Sequence, residues 1–188
     1  MKGMKGVLLA VAVLGLAACG DEPEVTLTET EAKSLFVSFL KTPQGDTVSE
    51  SPGKAVLSCP AGGTVTVTGT FALDEKGDTM ITRLKQTLAP EGCETNGFVL
   101  NGDPAVNYDT EVTTVGFFES VTMVGAVKGS LKWQKGDDEG TCDIDMTLAA
   151  ETEVKPDNPT IEGAFTGKLC GHEMKIDAAE VISIDVDE

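Results

Sequence analysis

Apolar and polar residues alternate with a period of two over long stretches of this 188-residue chain. Val65, Val67, Gly69 and Phe71 alternate with threonines at the even positions from 64 to 70. Successive side chains of a β-strand point to opposite faces of its sheet, so this pattern predicts a strand with one buried face. The same pattern returns over 80–88, 127–134, 143–150 and 161–169. The alternation therefore predicts a mainly β fold in which most strands have one solvated face.

Turn-forming segments separate the predicted strands. They are "DEKGD" at 74–78, "KGDDEG" at 135–140 and "KPDNP" at 155–159. Such connections favour sequential hairpins, and an alternating run over 173–186 brings the expected number of strands to eight or nine. Glycines also occupy apolar positions, where they permit a sheet to bend sharply, at Gly69, Gly129, Gly163 and Gly167. We predict a curved antiparallel meander that forms a half or full barrel.

One segment has helical periodicity. Its apolar residues follow the spacing i, i+3, i+4, i+7 and i+8 along one helix face, at Ala32, Leu35, Phe36, Phe39 and Leu40. Thr28 and Glu31 have the spacing of a capping box, and Pro43 with Gly45 ends the segment. The sequence therefore predicts an N-terminal helix over 29–41 that packs against the sheet and closes one side of it.

Four cysteines lie within the predicted β region, at Cys59, Cys93, Cys142 and Cys170. Four cysteines allow three pairings. The first two flank the turn at 74–78 symmetrically, and the last two flank the turn at 155–159, which favours the disulfides Cys59–Cys93 and Cys142–Cys170. Free thiols are less common outside the cytoplasm, and the spacing does not suit a zinc site.

The second of these pairings conflicts with strict strand register. Cys142 has the parity of Ile144, whereas Cys170 has the opposite parity to Leu169, so the two cysteines would lie on opposite faces. A bulge or a strand end at Gly167 or Gly171 would bring the two sulfur atoms together.

The N-terminus has the organisation of an export signal. Lys2 and Lys5 precede an apolar or small run over 6–18, which is shorter than the roughly 20 residues that a membrane-spanning helix needs. A basic start, a short apolar stretch and small residues before a cut site are typical of a cleaved signal peptide. The segment Leu16-Ala17-Ala18-Cys19 resembles the lipobox of bacterial lipoproteins, which the lipoprotein signal peptidase recognises.

The lipobox resemblance implies that the chain is cut before Cys19 and anchored through it. In that family the thiol receives a diacylglycerol and the new amino group is usually acylated, and at least two chains hold a protein stably on a membrane. Gly20, where some lipoproteins have aspartate, resembles those exported to the outer membrane. We expect a signal peptide over 1–18, a tether over 19–28 and one β-rich ectodomain over 29–188. The expected location is the bacterial outer membrane, facing the periplasm or the cell surface.

The chain is strongly acidic. It contains 14 Lys and Arg against 31 Asp and Glu, a formal charge of −17. Residues 1–18 contain two lysines and no acids, so their removal gives −17 − 2 = −19. Such a surface repels phosphate backbones and anionic headgroups, which excludes nucleic acid as a partner. The expected partners are the membrane, through lipidated Cys19, and an unidentified envelope protein.

Three ectodomain segments resemble uncharacterised, β-rich bacterial lipoproteins with paired cysteines. They are "CPAGGTVTVTG", "FVLNG" and "FTGKLCG", and the resemblance extends over 58–171. This resemblance implies a disulfide-paired β domain and brings no catalytic residue with it.

Patterns that carry catalysis or bind metals are sparse. His172 is the single histidine, no GxSxG segment occurs, and "PAGGT" at 60–64 precedes a predicted strand instead of a helix that could bind phosphate. Five acids near one turn are candidate calcium ligands without EF-hand spacing: Asp137, Asp138, Glu139, Asp143 and Asp145. We expect no cofactor and no enzymatic activity, because no catalytic constellation is present.

Two functions fit these features best. The first is a structural or interaction role, in which a sheet surface or edge meets another envelope protein. The alternative is a carrier of a small apolar or lipidic ligand between sheet and helix, which requires an apolar cavity there. A third class, an enzyme with two catalytic carboxylates, usually requires an aromatic-lined cleft, and the chain has one Trp and one Tyr.

Overall fold

Strands that follow one another along the chain are also neighbours in the sheet. The computed structural model describes residues 26–42, 47–116, 120–153 and 160–182, and within them nine strands form one antiparallel sheet in sequence order. The strands are β1 (Thr47–Ser51), β2 (Lys54–Ser58), β3 (Gly62–Lys76), β4 (Thr79–Thr95), β5 (Phe98–Val115), β6 (Ser120–Lys135), β7 (Asp138–Glu153), β8 (Thr160–Leu169) and β9 (His172–Asp177). Helix α1 (Glu29–Lys41) precedes the sheet and helix α2 (Ala178–Val181) follows it. The predicted mainly β meander with an N-terminal helix is confirmed.

Tight turns explain why the strands pair in order. Asn96-Gly97 joins β4 to β5, and Cys170-Gly171 joins β8 to β9. Their φ angles are 47° and 78° in the first turn and 48° and 85° in the second. Two-residue turns with positive φ at both positions match the right-handed twist of the strands that they connect. Each such turn therefore returns the chain directly alongside the strand it has just left.

The sheet is open. β1 and β9 are its two edges, and no pairing joins them among the described residues. The full barrel, one of the two predicted forms, is therefore not formed by the described strands. The open sheet leaves strand edges available at both sides, a feature that barrels remove.

Two of the predicted glycines allow neighbouring strands to approach closely. Gly129 and Gly167 have φ angles of 147° and 144°. A Cβ atom at Gly129 would overlap the backbone of Ala105, and one at Gly167 would overlap the backbone of Asp145. A larger residue would force the strands apart at these points, which is why both positions lack a side chain.

The hydrophobic core lies between α1 and one face of the sheet, called the core face below. Leu148 and Phe165 face each other on β7 and β8 and are buried on this face. Four residues of α1 are fully buried against it: Ala32, Leu35, Phe36 and Phe39. The rings of Phe36 and Phe165 meet edge to face with their centroids 5.5 Å apart, an arrangement that aromatic pairs prefer. The predicted packing of the helix against the sheet is confirmed.

Polar contacts fix the first turn of α1. The Oγ1 atom of Thr28 accepts a hydrogen bond from the backbone N–H of Glu31, and the Glu31 carboxylate accepts one from the backbone N–H of Thr28. The predicted capping box is therefore confirmed. Lys135 Nζ, at the end of β6, lies 2.8 Å from the same carboxylate. The hydrogen bond from Lys135, followed by those from Thr28, lowers the pKa of Glu31 from 4.5 to about 2.

Replacing Thr28 with alanine is expected to lower the free energy of unfolding by about 1 kcal/mol, because the helix loses its capping acceptor. Since the pKa of Glu31 is lowered in the folded state, its stabilising contribution is complete above pH 4.5 and lost as the pH falls through about 2. Urea unfolding of the native protein, Thr28→Ala and Glu31→Gln at pH 7 and pH 2 measures both effects. Thr28→Ser keeps the acceptor and should match the native protein. A Glu31→Gln difference that is as large at pH 2 as at pH 7 would contradict the role of the carboxylate.

Both predicted disulfides are present. Cys59 is bonded to Cys93, and Cys142 to Cys170, with Cα atoms 5.5 Å and 4.2 Å apart respectively. Cys170 lies in the turn after β8 instead of within the strand, and its N–H donates a hydrogen bond to the carbonyl oxygen of Asp143. The chain changes direction at this strand end, so the conflict of parity does not arise.

The C-terminal run differs from the prediction. The alternation over 173–186 indicated a continuous strand, but β9 ends at Asp177 and the single helical turn of α2 follows. Ala178 and Val181 have helical spacing and are both buried. In addition, Lys33 of α1 forms a salt bridge of 2.8 Å with Glu180. The burial of Ala178 and Val181 favours a helical turn over continued sheet pairing, and the exposed salt bridge adds little.

Several predictions concern residues outside the described ranges. They are the signal peptide over 1–18, Cys19 and most of the tether, the helix-ending residues Pro43 and Gly45, and the turn at 155–159. Within the ranges that the structure describes, no helix is both long enough and apolar enough to cross a bilayer.

Candidate functional site

A row of residues that pair across neighbouring strands crosses the core face, from the core beneath α1 to the exposed part of β3. Directly opposite residues of paired strands share a face, and this row runs through β3 to β8. Its members are Phe71, Leu84, Thr110, Gly125, Leu148 and Phe165. Phe165 at one end is fully buried beneath α1, whereas the side chain of Phe71 at the other end is 66% exposed. The core face therefore continues beyond the area that the helix covers, with Thr110 and Gly125 between its apolar ends.

The uncovered area carries a group of apolar side chains interrupted by Thr82, and this group is called the open patch below. It comprises Phe71, Leu73, Met80, Leu84, Val112 and Met123, all on the core face. Leu73 is 47% exposed, and the last four are half-buried. Phe71 was expected to be buried with Val65 and Val67, and this expectation is wrong. Val65 is fully buried, but neither α1 nor a neighbouring strand covers the core face as far as Phe71.

The open patch borders a strand edge without a partner. β2 pairs with β3 only as far as Thr68, and the N–H of Gly69 donates to the carbonyl oxygen of Gly53 in the β1–β2 turn. Beyond that point, the side of β3 away from β4 is unpaired over Thr70–Lys76 among the described strands, and this segment is called the free edge below. The hairpin β1–β2 is too short to cover a strand of 15 residues.

A depression lies where the free edge begins. Its volume is about 230 Å³, and it is lined on the core face by Val67, Phe71 and Leu84. Glu50 and Lys54 of the β1–β2 hairpin line its other side. The depression thus presents an apolar floor next to Gln86, with two charged groups at its rim. A single side chain from another molecule would fit this space.

The opposite face of the sheet carries charged residues that pair with one another. Arg83 contacts Asp74 at 2.6 Å and Glu111 at 2.7 Å, and Lys128 contacts Asp145 at 2.9 Å. Hydrogen bonds to Asp74 and then to Glu111 raise the pKa of Arg83 above its ordinary value. Exposed pairs of this kind contribute little to stability. Their effect is to leave a solvated, locally neutralised face, unlike the open patch.

The candidate calcium ligands are not brought together. Asp137 lies in the turn after β6, while the other four residues, Asp138, Glu139, Asp143 and Asp145, lie along β7. The Asp145 carboxylate is paired with Lys128. Within the described ranges, no group of three or more His, Cys, Asp or Glu side chains could hold a metal ion.

His172 is bound to the backbone that leads into α1. Its Nε2–H donates a hydrogen bond of 2.8 Å to the carbonyl oxygen of Leu27, which can only accept. Leu27 is itself buried. The contact ties the start of β9 to the residue before the helix N-cap, which is a structural use of the single histidine.

A larger depression of about 410 Å³ borders the first one and shares Gly69, Thr70 and Gln86 with it. Most of its lining residues have polar side chains, among them Asn107 and Asp109. The Oγ1 of Thr87 and the side-chain oxygen of Asn107 are 3.0 Å apart and hydrogen-bonded, so part of this polar surface is already satisfied internally. It does not supply the apolar space that a lipid carrier requires.

Comparison with known proteins adds no relative. No family model matches the chain, and searches of curated proteins and of solved structures give no match either.

The open patch and the free edge were not predicted from the sequence, because β1 and β2 were not identified there. The one available signal was the short interval between the helix and Cys59, which leaves room only for short strands beside the long β3.

Proposed function

We propose that the protein is a lipid-anchored protein of the bacterial cell envelope with a non-catalytic interaction role. In this proposal, Cys19 carries the anchor and the open patch meets another envelope protein. The observation that carries the proposal is the row from buried Phe165 to exposed Phe71. This row shows that the core face continues past helix α1 to exposed apolar side chains. An apolar patch with polar surroundings is typical of a protein interaction site.

The position of the tether supports this role. The chain enters α1 beside the β6–β7 end of the sheet, where Lys135 contacts Glu31, and beside the β4–β5 turn, where Asn96 contacts Ser34. Leu84, in the open patch, is eleven residues from the end of β4 at that turn. At about 3.3 Å per residue, the patch lies on the order of 30 Å from the tethered end. A protein anchored there would present the patch away from the bilayer.

The observations favour interaction over the carriage of an apolar ligand. The buried residues of α1 pack directly on the core face, as the contact between Phe36 and Phe165 illustrates. The depression beside Phe71 has a volume of about 230 Å³. Pockets for small ligands usually have at least about 300 Å³ and enclose most of the ligand.

Site-specific photo-crosslinking in intact bacteria tests the proposal. A benzophenone amino acid at position 73 is expected to give a discrete protein adduct, whereas the same group at position 124 is expected to give none. Val124 is the matched control because it is as exposed as Leu73, at 47%, and lies on the opposite face. Adducts of equal yield at both positions, or at neither, would argue against the open patch as an interaction surface.

The anchor is checked in the same cells by mass spectrometry of the protein extracted from membranes. The expected mass is that of the chain from Cys19 onward plus a diacylglycerol and an acyl chain. The Cys19→Ser variant should retain residues 1–18 and carry no lipid. A native protein with an unmodified Cys19 would refute the anchoring part of the proposal.

A further inference from the structure

We propose that the free edge of β3 accepts an extended segment of the partner protein as an additional antiparallel strand. The inference rests on the proposed function and specifies how the partner binds. The free edge has seven residues, which at about 3.3 Å each give an edge of roughly 23 Å. Strand addition obtains affinity from main-chain hydrogen bonds and specificity from alternate side chains.

The main chain of the free edge is oriented for such pairing. The N–H of Gly69 points away from β4, toward Gly53 of the β1–β2 turn. Outward and inward groups alternate along a strand, so Phe71, Leu73 and Glu75 present their N–H and C=O groups on the unpaired side. An antiparallel segment would exchange pairs of hydrogen bonds with these three residues. The added segment would extend the antiparallel pairing that β2 makes with residues 64–68 of β3.

The side chains of the free edge define which segment fits. Phe71 and Leu73 lie on the core face, and apolar residues placed opposite them would cover side chains that are 66% and 47% exposed. The next residue on that face is Glu75, which has no ion pair among the described residues. Residues directly opposite one another in paired strands interact, so a basic residue opposite Glu75 is favoured. The segment therefore alternates, with two apolar residues and one basic residue on the same face.

Charge also selects the partner over a second copy of this chain. The formal charge of the protein is −17, so two copies repel each other, whereas a basic segment is attracted. Close to the free edge, Lys54 and Lys76 balance Glu50 and Glu75, so the preference for a basic segment rests on the charge of the whole chain and on the position of Glu75 on the core face. Asp74 is already paired with Arg83 on the opposite face. The inferred occupant is thus a basic, alternating segment of another protein.

A synthetic peptide provides the test, with the full-length lipidated protein in detergent as the receptor. The probe is KTITITK, capped at both ends and labelled with a fluorophore. Its isoleucines match Phe71 and Leu73, and the symmetrical lysines place a basic residue opposite Glu75. The first control, ETITITE, reverses the charge. The second control carries N-methyl groups on both isoleucines, which removes the N–H groups that would pair with β3 and leaves the side chains in place.

We expect KTITITK to bind at least tenfold more tightly than either control peptide. The Leu73→Lys variant should weaken binding at least tenfold, and Val124→Lys, on the opposite face, should leave it unchanged. Hydrogen exchange should slow over 70–76 when the peptide is bound. Both variants replace exposed residues, and their unfolding curves show whether the fold is retained.

Several results would overturn the inference. Equal binding of KTITITK and its N-methylated form would exclude strand addition, and equal binding of ETITITE would exclude a basic segment. A concentration-dependent dimer that Leu73→Lys abolishes would identify a second copy as the occupant. If position 73 crosslinks in cells while no peptide protects 70–76, the proposed function stands and strand addition fails. If position 73 gives no crosslink and no peptide protects 70–76, the proposed function and strand addition both fail.

Discussion

Replacing Phe36 with alanine is expected to lower the free energy of unfolding by about 3–5 kcal/mol, the usual effect of removing a fully buried aromatic side chain. Phe36 has no exposed surface and contacts Phe165 edge to face. Its ring lies where α1 meets the sheet, so its loss leaves a cavity between the two layers. Nearby Leu35 and Phe39 are themselves fully buried, and they have little freedom to fill that cavity.

The matched control for this substitution is Phe71→Ala. The same kind of side chain is removed, in this case from the sheet itself and from a position that is 66% exposed. Urea unfolding at pH 7 should show a change below about 1 kcal/mol for this variant, because most of its surface is already in water. Equal losses in the two variants would mean that the open patch is covered in solution.

Removing the disulfide Cys142–Cys170 is expected to lower the free energy of unfolding by roughly 3–4 kcal/mol for a loop of this length. The cysteines are 28 residues apart, and Cys142 is fully buried. Position 170 has a φ of 48°, which is unfavourable for most residues, cysteine and alanine included. Alanine at 170 therefore loses the bond and keeps the backbone cost of about 1–2 kcal/mol that the native cysteine already bears.

The variant Cys142→Ala/Cys170→Asn loses the same bond but relieves this backbone cost. Asparagine tolerates positive φ, and Asn-Gly is the preferred pair for a two-residue hairpin turn. This double variant should be more stable than Cys142→Ala/Cys170→Ala by about 1 kcal/mol. Urea unfolding of both, with the Cys59–Cys93 bond left intact, measures the difference. If the alanine variant were equally stable, the turn geometry at Cys170 would not be the cause.

The sequence was sufficient to predict the elements whose signals are local. The alternation at Val65 and Val67, the spacing of Leu35 and Phe36, and the capping pair at Thr28 each depend on neighbouring residues. All are confirmed by the structure. Both disulfides followed from turns that the cysteines flank, although the turn at 155–159 lies outside the described residues.

The features that were missed depend on relations between elements. Phe71 has the same alternation as Val65, and only the length of β2 and the reach of α1 decide that one is exposed and the other buried. The end of β9 at Asp177 likewise depends on packing between elements, because Ala178 and Val181 of α2 are buried in the same core as α1. Closure of the sheet is a property of all nine described strands together, which periodicity alone does not determine.

The order of the cysteines has a consequence for the way the chain matures. The first and second cysteines of the sheet are bonded to each other, as are the third and fourth, and the two loops do not overlap. In the export proposed above, the chain would enter an oxidising compartment N-terminus first, with Cys59 and Cys93 emerging before Cys142 and Cys170. Oxidation in order of arrival then produces the native bonds directly. Under the proposed export, the native pairing would need an oxidant but no rearrangement of mispaired bonds.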